Sequence, residues 1–290
     1  MNLRILVAGG GSGGHLYPAL AILEGFRARG AERLGYIGAR RELERRVLSG
    51  YPWIEAYLIH GRGLPRPRPR GRGHTPSWSW RGLFPLGELF LGLIESLIII
   101  FRFRPTVLIG TGGFVSFPPL LWGLIFRIPT VILEVNVIPG LVNRLLAPHV
   151  GLVTTAYPET ARLLCRSRRA KKLAVTGVPL RPSVLAAAGL SPEESRRALG
   201  LDPHKRTVLI LGGSRGAGPL NRAVLRSCSR EGSNSDNFQV LLISGQDEGE
   251  GGPLRRGEGN QGWSVSVRGN GPIVQVRGYL DRIGEALSAT

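Results

Sequence analysis

The sequence predicts an α/β protein of two doubly wound domains, each a mostly parallel sheet with helices on both faces, the second incomplete. The chain has 290 residues, which is long for one domain, and its 42% hydrophobic content allows a sizeable core. Short apolar runs rich in branched residues alternate with segments of helical spacing, the pattern typical of parallel sheets. A new strand, glycine loop and helix begin at TVLILGGSRGAGPLNRAVL, residues 207–225.

The first domain opens with LRILVA, residues 3–8, which we interpret as a buried parallel strand. A helix over 16–30 is predicted next, because apolar residues recur at helical spacing between Pro18 and Gly30. A second helix is predicted over 41–50. Further strands are predicted at 34–38, 106–110, 129–135, 151–157 and 173–177.

The second domain is expected to begin at residue 181, in the segment VTGVPLRPS (175–183). After residue 206 only three strands are predicted, at 207–211, 239–243 and 273–277. A doubly wound nucleotide domain has about five or six strands, so the second sheet is predicted to be incomplete.

The chain is strongly basic, with a formal net charge of +18 and only three lysines among its 38 basic residues. This composition indicates either a genome-wide preference for arginine or an anionic partner such as a nucleotide or a membrane surface. An arginine-rich binding module without catalysis is a further possibility, marked by salt-sensitive binding. No aromatic-interleaved basic motif occurs, so we expect no nucleic-acid partner.

Residues 62–82 form a predicted long loop of Pro, Gly, Arg and Trp, followed by the almost wholly apolar run 83–101. Glu88 and Glu95 within that run disfavour a membrane span. The open alternatives are a helix on an anionic membrane surface and a helix packed on the sheet. Basic and aromatic neighbours favour the membrane surface: they are Arg62, Arg66, Arg68, Arg70, Arg72, Trp78 and Trp80.

Glycine-rich loops follow three of the predicted strands, at GGGSGGH (9–15), TGGFVSFP (111–118) and GGSRGA (212–217). Where glycines join the end of a strand to the start of a helix, free backbone N–H groups point at any ligand bound at the carboxyl ends of the strands. Three such loops predict a nucleotide or another phosphorylated ligand. The alternative is a set of tight turns without a ligand.

The first loop also fits G-x-G-x-x-G, which makes an NADP-binding oxidoreductase the alternative function. In that interpretation Arg40 and Arg41, after the second strand, meet the 2′-phosphate of the cofactor. A dehydrogenase needs neither His15, at the end of the first loop, nor the third glycine loop.

Five segments in this order resemble the MurG family: GGGSGGHLYPALAI, IGTGGFVSFP, PTVILEVNVIPGLVNRLLA, VTGVPLRP and GGSRGAGPLN. The resemblance implies two Rossmann-like domains facing across a cleft, in the glycosyltransferase B arrangement. It implies transfer of N-acetylglucosamine from UDP-N-acetylglucosamine to an undecaprenyl-pyrophosphate-linked muramyl-pentapeptide (lipid I), giving lipid II for peptidoglycan. It further implies a peripheral location on the cytoplasmic face of the cell membrane, against its anionic surface, with the acceptor at the N-terminal domain and UDP-sugar mainly at the C-terminal domain.

The resemblance also implies a set of substrate-binding positions. The first glycine loop is expected to contact the donor, and the second is placed for the acceptor pyrophosphate. The predicted substrate-binding residues are Ser12, Gly13, Gly14, Thr111, Gly112, Gly113, Asn136, Arg181, Ser214 and Leu280.

Sugar transfer from UDP requires a stabilised leaving pyrophosphate and a deprotonated acceptor hydroxyl. No D-x-D motif or metal-ligand cluster occurs, so we predict no metal and no cofactor, with helix N-termini and Arg181 supplying the stabilisation. His15 is the predicted general base, its alternative role being to orient the loop. Glu134 is the second predicted catalytic residue, with a supporting or purely structural role as its alternatives. The family implies inversion at the anomeric carbon.

The chain departs from the family pattern at Leu133, Val135, Val178 and Arg215. The family also continues beyond the final ALSAT with another strand, a donor loop, a ribose-contacting acid and a glutamine pair. We therefore expect the 290 residues alone to be inactive or nearly so.

Overall fold

The computed structural model describes residues 3–61, 84–166, 172–213, 217–228, 237–245, 264–267, 272–278, 280 and 282–290. The chain divides into two compact units, Met1–Arg181 (unit 1) and Pro182–Thr290 (unit 2).

Unit 1 alternates strands with helices along the chain. Its strands are β1 Arg4–Gly9, β2 Arg33–Ala39, β3 Glu55–Ile59, β4 Val107–Gly112, β5 Thr130–Glu134, β6 Leu152–Thr155 and β7 Leu173–Val175. Its helices are α1 Gly13–Ala28, α2 Glu42–Leu48, α3 Phe84–Phe103, α4 Phe117–Ile125, α5 Leu141–Leu146 and α6 Pro158–Arg166.

The seven strands of unit 1 form one sheet in the order β3-β2-β1-β4-β5-β6-β7, and every neighbouring pair is parallel. The order reverses at β1, so the chain winds outward from β1 in both directions, as the alternating pattern predicted. Ligands bind such sheets at the carboxyl ends of the strands beside this reversal.

The core lies on both faces of this sheet, because alternate residues of a strand point to opposite sides. Ile5 and Val7 of β1 pack in the cluster that includes Leu16 and Leu20 of α1. Leu6 and Ala8 pack in the opposite cluster, which includes Phe103 of α3.

The apolar run after residue 83 is the helix α3, and one side of it packs on the sheet through Ile99, Ile100 and Phe103. Its other side exposes large apolar residues at helical spacing. These are Phe90, Leu91, Ile94, Ile98 and Phe101. No helix in the described ranges combines the length and the apolarity that a membrane crossing needs. The predicted loop over 62–82, with its arginines and tryptophans, lies outside the described residues.

Unit 2 contains a smaller sheet. Its strands are β8 Arg206–Leu211, β9 Phe238–Ile243, β10 Ser264–Val267 and β11 Val274–Arg277, and its helices are α7 Pro182–Ala187, α8 Pro192–Ala198, α9 Gly218–Cys228 and α10 Ile283–Ser288. The order is β10-β11-β9-β8, with β10 antiparallel and the other pairs parallel.

Several elements differ from the sequence prediction. The strands β3 and β10 were not predicted, because EAYLI and SVSV are short runs in polar or turn-rich surroundings. The helix α1 begins at Gly13 instead of residue 16, so the end of the predicted glycine loop is its first turn. The strand β4 runs on to Gly112, so Thr111 and Gly112 belong to the strand and not to the loop after it.

Candidate functional site

The two glycine loops of unit 1 interlock where β1 and β4 end side by side. A Cβ added to Gly9 would overlap Oγ1 of Thr111, and one added to Gly113 would overlap the carbonyl oxygen of Gly10. Gly113 also has a φ of 83°, which disfavours any other residue. Close packing between the loops therefore accounts for these glycines without a ligand.

His15 joins the two loops through a pair of reciprocal bonds with Thr111, which is fully buried. Its ring Nδ1 lies 2.8 Å from the carbonyl oxygen of Thr111, and Oγ1 of Thr111 donates to the carbonyl oxygen of His15 at 2.8 Å. A carbonyl oxygen only accepts, so Nδ1 carries the proton. The neutral ring then presents Nε2 as its basic atom, which suits a general base.

The first turn of α1 offers free donors beside His15. Ser12 is the N-cap but its side chain makes no capping bond, and no described residue accepts from the N–H groups of Gly13 and Gly14. Gly14 is exposed. Free N–H groups at the start of a 16-residue helix, together with its dipole, favour a bound anion.

Glu134 is buried at the end of β5 and accepts four hydrogen bonds. They come from the backbone N–H and Nδ2 of Asn136 at 2.9 Å each, from the N–H of Gly140 at 2.8 Å and from Nδ2 of Asn143 at 2.9 Å. Its two oxygens are thus occupied in shaping the turn between β5 and α5. This geometry favours the supporting role over direct proton transfer, while Asn136 itself is exposed.

Sequence reasoning did not single out Asn143, which links Glu134 to the histidine region. Its side chain is 2% exposed, and its Oδ1 is buried without a hydrogen-bond partner among the described atoms. A Cβ built on Gly112 would lie 2.9 Å from Nδ1 of His15 and 3.6 Å from Nδ2 of Asn143. A polar residue on the buried side of α5 was the signal for this position in the sequence.

Arg181, the last residue of unit 1, lies over the ring of Tyr17 on α1, with 4.8 Å between its Cζ and the ring centroid. Burial raises the pKa of Tyr51, and the nearby Arg181 partly offsets this effect. Burial likewise raises the pKa of Glu24, which interacts with Tyr51 and Arg181. These contacts hold Arg181 against the helix that begins at the first glycine loop.

The remaining predicted positions belong to unit 2. Leu280 is half-buried and packs against the cluster that includes Leu241 and Ala286. Ser214 lies outside the described residues, although β8 ends just before its loop and α9 begins just after it.

The two arginines of the oxidoreductase alternative are already engaged. Arg40 donates to Oε1 of Glu95 at 2.6 Å and to the carbonyl oxygen of Leu58 at 3.0 Å. Arg41 donates to the carbonyl oxygen of Gly11 at 2.8 Å. Nothing in this arrangement favours a site for a 2′-phosphate.

Known proteins similar to this chain agree with the motifs. A model of the glycosyltransferase family 28 N-terminal domain matches residues 5–155. A UDP-N-acetylglucosamine--N-acetylmuramyl-(pentapeptide) pyrophosphoryl-undecaprenol N-acetylglucosamine transferase from Halothermothrix orenii is 37% identical over 246 residues, 84% of this chain and 61% of that protein. The transferase of the same name from Desulforudis audaxviator is 35% identical over 293 residues, 99% of this chain and 71% of that protein.

Among solved structures, Acinetobacter baumannii MurG matches with a TM-score of 0.56 at 18% identity, over 99% of this chain and 70% of that one. This likeness supports the fold. The chain spans only about three fifths of the Halothermothrix protein, at 61%. The family model and the sequence identities lead to one conclusion: the chain belongs to glycosyltransferase family 28 and, within it, to the MurG family.

Proposed function

We propose that this chain carries the base and phosphate-binding loops of a transferase that moves N-acetylglucosamine from UDP-N-acetylglucosamine to lipid I, forming lipid II. The observation that carries the proposal is the His15–Thr111 pair: it fixes the ring with Nε2 free, beside the unpartnered N–H groups of Gly13 and Gly14.

In the proposed reaction, Nε2 of His15 removes the proton from the acceptor hydroxyl, and that oxygen attacks the anomeric carbon of the donor. The bond from this carbon to the UDP oxygen breaks with inversion, and UDP leaves with its electron pair. The first turn of α1 and Arg181 stabilise the departing negative charge. In the described part of the chain, no group of three or more His, Cys, Asp or Glu side chains lies together to hold a metal ion.

We assign acceptor binding to unit 1 and UDP-sugar binding mainly to unit 2. In this scheme Gly113 faces the acceptor pyrophosphate, with the buried Thr111 and Gly112 positioning it from β4, while Ser12, Gly13 and Gly14 contact the donor. Asn136, Arg181, Ser214 and Leu280 complete the substrate contacts. Glu134 acts as a positioning residue, since its four bonds shape the turn that carries Asn136.

We further propose that unit 1 rests on an anionic membrane surface through α3 and α4. Phe101 of α3 and Phe126 after α4 are 61% and 41% exposed, and their ring centroids are 5.3 Å apart. Ile125 adds to this apolar strip, with the exposed Arg102 and Arg127 beside it. Basic residues near anionic lipid contribute about 1 kcal/mol each.

The test of the catalytic proposal is transfer of labelled N-acetylglucosamine from UDP-N-acetylglucosamine to a lipid I analogue. It uses the 290-residue chain and a fusion that adds the C-terminal remainder of the Desulforudis relative. In the fusion, H15N keeps a donor for the Thr111 carbonyl but has no basic atom, so we expect kcat to fall about 10²–10⁴-fold. H149N, at an exposed histidine, is the matched control.

An H15N fusion within threefold of the parent would overturn the base assignment. Transfer from another sugar nucleotide but not from UDP-N-acetylglucosamine would overturn the substrate. Turnover by the 290-residue chain alone would contradict the expectation that it is inactive.

The membrane proposal is tested by co-sedimentation with vesicles containing anionic lipid. Binding of the 290-residue chain should fall with added salt and in the double variant F101S/I125S, whereas L145S, an exposed apolar site on α5, is the control. Equal binding by the double variant would overturn the assigned face.

A further inference from the structure

Gly11, in the middle of the first glycine loop, is held on both sides by residues of the β2–α2 turn and α2. Its N–H donates to Oε1 of Glu44 at 2.7 Å, and its carbonyl oxygen accepts from Arg41 at 2.8 Å. Neither backbone group of Gly11 is therefore free for a ligand.

Burying the Glu44 carboxylate is unfavourable in free energy. The residue is 0% exposed, and its Oε2 has no hydrogen-bond partner among the described atoms. Burial of a carboxylate oxygen that lacks a hydrogen-bond partner is unfavourable. The one hydrogen bond described for this side chain goes to the loop.

Gly9 and Gly10, the first two residues of the loop, lie against Tyr36 and Glu44. Tyr36 donates from its hydroxyl to the carbonyl oxygen of Gly9 at 2.6 Å, and burial raises the pKa of this tyrosine well above its usual range. The Tyr36 hydroxyl therefore keeps its proton and remains a hydrogen-bond donor. A Cβ on Gly10 would lie 3.0 Å from Oε1 of Glu44 and 3.1 Å from the Tyr36 hydroxyl, so Gly10 fits closely between them.

We propose that Glu44 and Arg41 are positioning residues that clamp Gly11, turn its N–H inward and leave the N–H groups of Gly13 and Gly14 to bind a phosphate. The negative charge of Glu44 also keeps an anion away from the Gly11 end of the loop. A bound phosphate is thereby confined to the end next to His15. This inference rests on the proposed phosphate-binding role of the loop.

The clamp and simple electrostatics predict opposite effects for one substitution. Removing a carboxylate near an anion site strengthens anion binding if charge alone matters. If the carboxylate instead holds the loop in shape, E44A weakens anion binding, although the repulsion is gone. E44Q removes the charge but keeps an acceptor for the Gly11 N–H, so it separates the two effects.

The experiment titrates the ¹⁵N-labelled 290-residue chain with inorganic pyrophosphate and follows the amide signals of Gly13 and Gly14. We expect E44A to lose about tenfold or more in affinity, and E44Q to stay within about threefold of the parent. E42A, which removes an exposed acid from the same helix, controls for charge. R41A should lose clearly more affinity than R45A, which removes an exposed arginine of α2.

A gain in affinity in E44A, or equal losses in R41A and R45A, would overturn the clamp. If E44A does not fold, hydrogen exchange at the Gly11 amide decides: it must accelerate in R41A and remain slow in R45A. If the parent chain itself does not bind pyrophosphate, the proposed phosphate site fails. The clamp is then judged by hydrogen exchange at the Gly11 amide, which must accelerate in E44A or R41A and remain slow in E42A and R45A.

Discussion

A glycine loop and a helix follow both β1 of unit 1 and β8 of unit 2. The two strands differ in the number of strands that they pair with. The strand β1 lies between β2 and β4, and Ile5, Leu6, Val7 and Ala8 are fully buried. The strand β8 pairs with β9, and in the described part of unit 2 no strand pairs with its other edge. Val208 and Leu211 of β8 are each 45% exposed.

In unit 1 the sheet order brings the end of β4 beside the glycine loop that follows β1. The strand β4 supplies Thr111, which fixes His15, and the residue after this strand, Gly113, packs on Gly10. The first glycine loop thus provides free N–H groups, and the end of β4 orients the His15 side chain beside them.

The largest effect is expected from truncating the two strands at matched leucines. L6A removes a fully buried side chain from β1, and we expect it to lower the free energy of unfolding of unit 1 by about 2–5 kcal/mol. L211A, at a half-exposed position of β8, should cost unit 2 less than about 1 kcal/mol. Urea unfolding followed by hydrogen exchange resolved to peptides measures each unit. Equal losses would contradict the difference in burial between Leu6 and Leu211.

The next test compares one glycine from each loop. G113A combines a positive φ with overlap on the Gly10 carbonyl, so we expect it to destabilise unit 1 by about 3 kcal/mol. Gly213 has a φ of 74° but nothing within 4 Å of an added Cβ, and G213A should cost unit 2 about 1 kcal/mol. The same unfolding measurement applies. A G113A cost no greater than that of G213A would contradict the interlocked loops.

A smaller effect is expected when the threonine that fixes His15 becomes valine. T111V loses the bond from Oγ1 to the His15 carbonyl, and we expect it to destabilise unit 1 by about 1 kcal/mol. T207V, at a buried threonine of β8, is the control from unit 2. Ring ¹⁵N shifts of His15 should change in T111V and stay as in the parent in T207V. Unchanged shifts in both would show that this bond does not hold the histidine.

The smallest effect concerns a surface pair that joins β2 to β3 in unit 1. Hydrogen bonds from Arg33 lower the pKa of Glu55, so the pair stabilises the folded state above the unfolded pKa of about 4.5. This contribution is lost as the pH falls through the folded pKa. We expect E55Q to cost less than about 1 kcal/mol at pH 7 and progressively less as the pH falls below about 4.5. A cost independent of pH between 3 and 7 would refute the ion pair.

Sequence reasoning predicted the parallel strands of unit 1 well, since strands buried on both faces are apolar without interruption. It missed β3 and β10, which are short runs in polar or turn-rich sequence, and it ended β4 before Gly112, where glycine continues the strand. It also began α1 too late, because glycine is a poor helix former and the first turn still contains Gly13 and Gly14.

The candidate site was only partly predictable for a related reason. His15 stood out beside its loop, but its partner Thr111 lies 96 residues further along the chain, and no local pattern relates the two. Glu44 and Asn143 sit in helices whose sequence indicates only amphipathic packing. Their roles depend on which strand ends meet, and this is a property of the sheet order.

The contact between His15 and Thr111 closes a loop of 96 residues, so the geometry of the site forms only when β1 and β4 pair. Loop-closure entropy rises only with the logarithm of length, and doubling such a loop costs about 0.6 kcal/mol. Insertions between the two strands are therefore inexpensive as long as β1 and β4 keep their register. The segment between His15 and Thr111 can therefore vary in length without changing the contact that ends it.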